Sequence, residues 1–149
     1  MTESELRQAI VGEARSWAGT PFVDRGTLKM VGVDCAGFPL MVYRKVGLLP
    51  KDFVLPAYSP QAGMDRHKED TTYLDLVLKF AKREITEAEA RPGDFVLWKV
   101  VNSWRHGGII VSWPFFVLHP LVGRGVVGSH GTQEGFLKGR QRRFFTLVG

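Results

Sequence analysis

The chain has 149 residues, a single cysteine, 44% hydrophobic and 23% charged residues, and a net charge of +5. That length suits one domain, 1–149, with a real core and no disulfide staples, and a lone cysteine cannot form an internal bridge. The opening Met1-Thr2-Glu3-Ser4-Glu5 lacks the basic and apolar start of a secretory signal, and the longest strongly apolar run, within Val111–Leu118, is broken by Pro114 and falls far short of the ~20 residues of a membrane helix. These features predict synthesis in the cytoplasm without a signal peptide, and no membrane insertion.

The first element is an amphipathic helix, with Leu6, Ile10, Ala14 and Trp17 at helical spacing. Thr2 and Glu5 form a capping-box pattern, and Gly19 followed by Pro21 stops the helix. Residues 20–33 read as a loop. A second helix starts within a residue or two of Cys35, because Pro39 is tolerated only in a first turn; Phe38, Met41, Val42 and Val46 form its apolar face and Gly47 ends it. Residues 48–70 hold three prolines and read as an irregular excursion. Tyr73–Lys82 is a third helix with Leu74, Val77, Leu78 and Ala81 inward.

After the turn Arg91-Pro92-Gly93-Asp94 the pattern changes to short β-rich runs at 94–100, 107–112, 115–119, 125–130 and 141–147. Helices first and strands afterwards predict an α+β domain whose N-terminal helices pack on one antiparallel sheet. The cations Lys138, Arg140, Arg142 and Arg143 sit near the last run. They read first as a solvated strand edge, and alternatively as a polyanion contact. No zinc spacing, recognition-helix signature or aromatic RNA-binding motif accompanies them, so no specific nucleic-acid binding is expected.

A cysteine nucleophile needs an accessible thiolate, a base within reach, and a third group that orients the base. A helix start supplies the first requirement through unpaired N–H groups and the helix dipole. Cys35 lies there, between Gly32 and Gly37, and Gly37 leaves room for substrate backbone. A buried, chemically inert cysteine is the other reading of a lone thiol. Two histidines fit the remaining roles. His106 heads the run Gly107-Gly108-Ile109-Ile110, and a turn near Ser112–Pro114 makes His119 its approximate cross-strand partner. His67, among charged residues, reads as solvated; His130 is a spare candidate for a catalytic or substrate contact. No pair has the short ligand spacing of a structural zinc site, and no glycine fingerprint for phosphate appears.

Five stretches in order resemble the NlpC-type cell-wall peptidases, a branch of the papain-like clan. They are Trp17-Ala18-Gly19-Thr20-Pro21-Phe22, Val33-Asp34-Cys35-Ala36-Gly37-Phe38, Arg91-Pro92-Gly93-Asp94-Phe95-Val96, His106-Gly107-Gly108-Ile109-Ile110, and His119 thirteen residues after His106. The resemblance implies a papain-like fold that hydrolyses amide bonds in peptidoglycan stem peptides, often after a D-γ-glutamyl residue. By the same resemblance Cys35 is the nucleophile, His106 the general base and acid, and His119 the orienting residue. Phe22, Asp34, Ala36 and Gly37 are placed at the substrate, with no metal and no organic cofactor. Phe22 stands where the family usually has Tyr, and Ala36 where it often has Ser. The short form with Asp34-Cys35-Ala36-Gly37 resembles versions carried by bacteriophage tails and gene-transfer particles, which implies a virion location and tail or baseplate proteins as partners. Two other readings stay open. One is a structural component of a tail or envelope assembly with reduced or lost catalysis; the other is an amidase or acyltransferase acting outside peptidoglycan.

Overall fold

The computed structural model describes residues 1–56 and 69–149. Helix α1 spans Glu3–Ser16, and its N-terminus closes as a capping box: Glu5 N–H donates to Thr2 Oγ1 at 3.1 Å and Thr2 N–H to Glu5 Oε1 at 3.2 Å. Ile10 and Ala14 are buried and Gly19 takes φ +85°, a conformation favourable to glycine. The 20–33 loop contains a miniature hairpin, β1 (Thr27–Leu28) against β2 (Gly32–Val33). Two residues per strand are too few for a periodic signal.

Helix α2 covers Gly37–Lys45, with Ala36 as N-cap and Pro39 inside the first turn as expected. Gly47 ends it at φ +88°. Helix α3 is Thr72–Phe80. Leu74 and Val77 face the core, but Leu78 is exposed, a correction to its expected inward position. Nine residues give α3 a narrow buried stripe, and Leu78 falls outside it.

The main sheet has six antiparallel strands: β3 (Arg83–Ile85), β4 (Phe95–Val100), β5 (Ser103–Ser112), β6 (Phe116–Leu121), β7 (Gly125–Ser129) and β8 (Arg142–Thr146), in the order β3-β8-β4-β5-β6-β7. The sequence pattern predicts five. Strand β3 is a short, mostly exposed edge without an apolar pattern. Strand β5 begins at Ser103, earlier than expected, because Val100 pairs with Ser103 across a two-residue turn.

The sheet is buried on both faces. Phe95, Leu97, Ile109, Leu118 and Phe145 join the helices, whereas Val96, Trp98, Ile110, Val117 and Phe144 form a second cluster with Leu137. This explains why β4 reads as a continuous apolar run. The Arg91–Asp94 turn is fastened from two sides. Arg7 Nη1 donates to Asp94 Oδ1 at 2.8 Å, and Tyr43 Oη donates to the Gly93 carbonyl at 2.9 Å. Among the C-terminal cations, Arg142 pairs with Glu87 (3.1 Å) and Arg143 with Glu84 (2.7 Å), while Arg140 Nε donates to the Phe136 carbonyl. The cluster is largely tied to its own sheet, but β8 lies between β3 and β4, so Arg142 and Arg143 do not sit on a sheet edge as the strand-edge reading expects.

Candidate active site

Asp34 organises the start of α2. Ala36 has no side-chain oxygen, so Asp34 performs the capping: Oδ1 accepts from Gly37 N–H at 2.7 Å and Oδ2 from Arg25 N–H at 2.8 Å. The same carboxylate ties the segment ahead of β1 to the helix. A Cβ on Gly37 would lie 3.1 Å from Asp34 Oδ1 and from Leu55 Cδ1, so the space at Gly37 is filled by protein, and Gly37 does not line the cleft.

Cys35 stands at the mouth of α2 on the wall of a cleft that is open to solvent. Phe22, Asp34 and Ala36 lie on its side; Leu55, Tyr73, Leu76, Trp104 and Arg105 complete the walls, with the carboxylates of Asp24 and Asp70 also present. Cys35 docks on either side of His106. Its carbonyl accepts from Gly107 N–H at 3.3 Å, and its thiol lies 3.6 Å from the Arg105 carbonyl, to which it donates.

The helix start does not make the resting thiol acidic. Burial, followed by the charge of Asp34, pushes the Cys35 pKa up to about 12. Arg105 and the N–H groups of Cys35 and Ala36 act in the opposite direction but do not prevail. Part of the cysteine surface remains open, so the sulfur is reachable although protein surrounds most of it.

On the sheet, His106 pairs with Trp98 across β4–β5. Its ring lies between Trp98, at 5.6 Å, and Phe136, at 4.8 Å. Its Nε2 is 2.8 Å from His119 Nδ1, which leaves Nδ1 as the ring nitrogen that His119 does not engage. With Ile109 opposite Leu118, His119 stands diagonally across from His106 rather than directly opposite. His119 Nε2 is in turn 2.8 Å from Ser129 Oγ on β7. All three residues are buried. Burial, then the neighbouring His119, lowers the His106 pKa well below its ordinary value. Burial, then Arg124, lowers that of His119 to about 4. Both imidazoles are neutral at pH 7.

His130 is not in this series. Its Nδ1 accepts from the N–H groups of Thr132 and Gln133, both at 3.2 Å, and caps the turn after β7. His67 lies outside the described residues. Ser129, Arg105, Tyr73 and Trp104 were not singled out from sequence. The adjacency of Arg105 and Trp104 to His106 was the only available signal. Among the described residues, no group of three or more His, Cys, Asp or Glu side chains could hold a metal.

The NlpC/P60 family profile matches residues 17–143. The chain belongs to the NlpC/P60 family. Its fold is shared with the NlpC/p60 domain of the peptidoglycan hydrolase SagA, at 22% identity and a TM-score of 0.62 over 92% of this chain and 96% of that one. It is also shared with the P60 domain of the Mycobacterium avium subspecies paratuberculosis antigen MAP1204, at 15% identity and TM-score 0.63 over 99% and 98%. A Bacillus cereus NlpC/P60 family protein has TM-score 0.65 at 15% identity, matching 96% of this chain but only 40% of its own length. No curated protein matches the sequence. Family membership supports a cell-wall peptidase activity, and the helices on an antiparallel sheet are the papain-like α+β arrangement of these NlpC/P60 neighbours.

Proposed function

We propose that the chain is a cysteine endopeptidase that cleaves amide bonds in peptidoglycan stem peptides, with Cys35 as nucleophile, His106 as base and acid, and His119 as the residue that orients His106. The observation that carries this reading is the docking of Cys35 against both neighbours of His106, whose far nitrogen is bonded to His119 at 2.8 Å. At rest the thiol is neutral and directed at the Arg105 carbonyl, so the nucleophile is made on demand. The S–H turns from that carbonyl to His106 Nδ1, a tightening that catalytic contacts often await until substrate binds.

His106 Nδ1 then takes the thiol proton as sulfur attacks the scissile carbonyl carbon. In this reading the Cys35 N–H donates to the oxyanion. Collapse of the tetrahedral adduct breaks the C–N bond, and His106 returns the proton to the leaving amine. Water, deprotonated by His106, hydrolyses the thioester and regenerates the thiol. Phe22 has no hydroxyl to add to the oxyanion site, and Ala36 none to hold the peptide. Cleavage after a D-γ-glutamyl residue, and service in a phage tail or tail-like particle that locally opens the wall, follow from the family resemblance and belong to this proposal. The test is mass analysis of fragments released from purified peptidoglycan: wild type should release stem-peptide fragments, and Cys35→Ala should not.

One observation favours a second reading. A thiol with pKa about 12, bonded to a backbone carbonyl, is what a structural component with reduced catalysis would also show. Under that reading, wild type releases no fragments from any wall type tested.

A further inference from the structure

We propose that Ser129 is a positioning residue of this site, its hydroxyl supplying the acceptor that His119 needs in the one tautomer that leaves Nδ1 of His106 free to take a proton. The proposal rests on the assignment of His106 as the base. Ser129 closes strand β7, two residues along from Val127, the direct partner of His119. The two side chains are therefore diagonal neighbours on one face of the sheet. Ser129 Oγ lies 2.8 Å from His119 Nε2, and His119 Nδ1 lies 2.8 Å from His106 Nε2. The series runs across three adjacent strands and is buried throughout.

Each neutral imidazole carries one N–H, so the protons must alternate along the series. Only two polarities exist. In the first, Ser129 Oγ accepts from His119 Nε2–H, His119 Nδ1 accepts from His106 Nε2–H, and His106 Nδ1 keeps its lone pair. In the second, the Ser129 hydroxyl donates and every proton is reversed. His106 then carries its proton on Nδ1 and cannot receive the one from Cys35. Catalysis requires the first polarity, in which the serine is an acceptor. The same arrangement serves the transition state: when His106 becomes an imidazolium, its Nε2–H already has an acceptor, and His119 Nε2–H has one in turn. Without the hydroxyl, a buried N–H on His119 loses its partner, which penalises the productive tautomer directly.

The test combines tautomer assignment with kinetics on the full chain. Long-range ¹H–¹⁵N NMR of histidine-labelled protein should show wild-type His119 protonated at Nε2 and unprotonated at Nδ1. Ser129→Ala should populate both tautomers of His119 and lower kcat on stem peptides roughly tenfold with little change in KM. Ser129→Thr, which restores an acceptor, should recover both readouts. A wild-type His119 protonated at Nδ1, or a Ser129→Ala variant with unchanged tautomer and rate, would overturn the proposal. If Ser129→Ala does not fold, the wild-type spectrum and the threonine variant still decide. A wild type inactive on peptidoglycan but with His119 protonated at Nε2 overturns the substrate and supports the role of Ser129.

Discussion

His106 and His119 meet edge to face, with ring planes 85° apart and Nε2 to Nδ1 at 2.8 Å. This contact makes one nitrogen of His106 a fixed donor or acceptor and leaves the other unengaged by His119. Replacing His119 with Ala should remove both the orientation of the ring and the acceptor for the imidazolium. The expected result is a fall in kcat of roughly 10²-fold or more, within the range general acid–base catalysis supplies. His119→Gln keeps an acceptor and should lose less. Steady-state kinetics of both variants on a stem peptide would check this; equal rates for wild type and His119→Ala would remove His119 from the mechanism.

The raised thiol pKa predicts a quiet resting cysteine. At pH 7 Cys35 should alkylate more slowly than free cysteine, and the rate should climb as pH rises toward about 12. Iodoacetamide labelling followed by mass spectrometry reads this directly. A fast, pH-independent rate from pH 5 upward would instead indicate a preformed thiolate.

The lowered histidine pKa values also make stability depend on pH. Unfolded, each histidine titrates near 6.5; folded, His119 titrates at about 4. Below pH 6.5 the unfolded chain binds protons that the folded chain does not, so stability falls as pH drops from about 6.5 to about 4. For His119 alone the effect is on the order of 3 kcal/mol. Urea midpoints between pH 7 and pH 4 should decline in wild type and decline less in His119→Gln. A flat wild-type profile would contradict the burial-driven shift.

Asp94 tests how the Arg91–Asp94 turn is held. Its carboxylate is almost fully buried against Arg7 and also accepts from Arg91 N–H at 2.9 Å. Asp94→Ala removes one of the two carboxylates that Arg7 bonds, leaving Glu3 at 3.2 Å, and orphans the Arg91 N–H, so it should cost about 1–3 kcal/mol. Denaturant titration of Asp94→Ala against wild type measures this, and an unchanged midpoint would remove Asp94 from the fastening of the turn.

Gly107 links packing to the site. A Cβ there would sit 3.0 Å from Pro39 Cγ, 3.1 Å from Phe95 Cζ and 3.1 Å from Tyr73 Oη. Gly107→Ala should push α2 from β5, costing about 1–3 kcal/mol. It should also weaken the bond from Gly107 N–H to the Cys35 carbonyl. Activity is therefore expected to drop by more than the loss of folded protein, as measured by rate per folded molecule.

Much of the fold was legible because its signals are local. The α1 capping box, the confinement of Pro39 to a first turn, and the stops at Gly19 and Gly47 are decided by residues within one helical turn of each other. The strands from β4 onward announced themselves through apolar runs bounded by glycine and proline. Strand β3 and the β1–β2 hairpin did not, because three residues with a single apolar one, Ile85, and two pairs of residues carry no period. Leu78 was misplaced because helical spacing identifies a face without fixing its width.

The sequence by itself determined the helix start that holds Cys35, the succession of helices and antiparallel strands, and the neighbourhood of His106 and His119 across one hairpin, since each depends on short-range sterics and hydrogen bonding. Tertiary structure decided what those groups can do. Burial and the nearby Asp34 charge hold the thiol protonated, where the helix start alone argued for a thiolate. The space at Gly37 is filled by Leu55 and the Asp34 carboxylate. A serine on a third strand completes the histidine series. Desolvation and contacts between distant strands depend on how the whole chain packs, and no local pattern of residues encodes them.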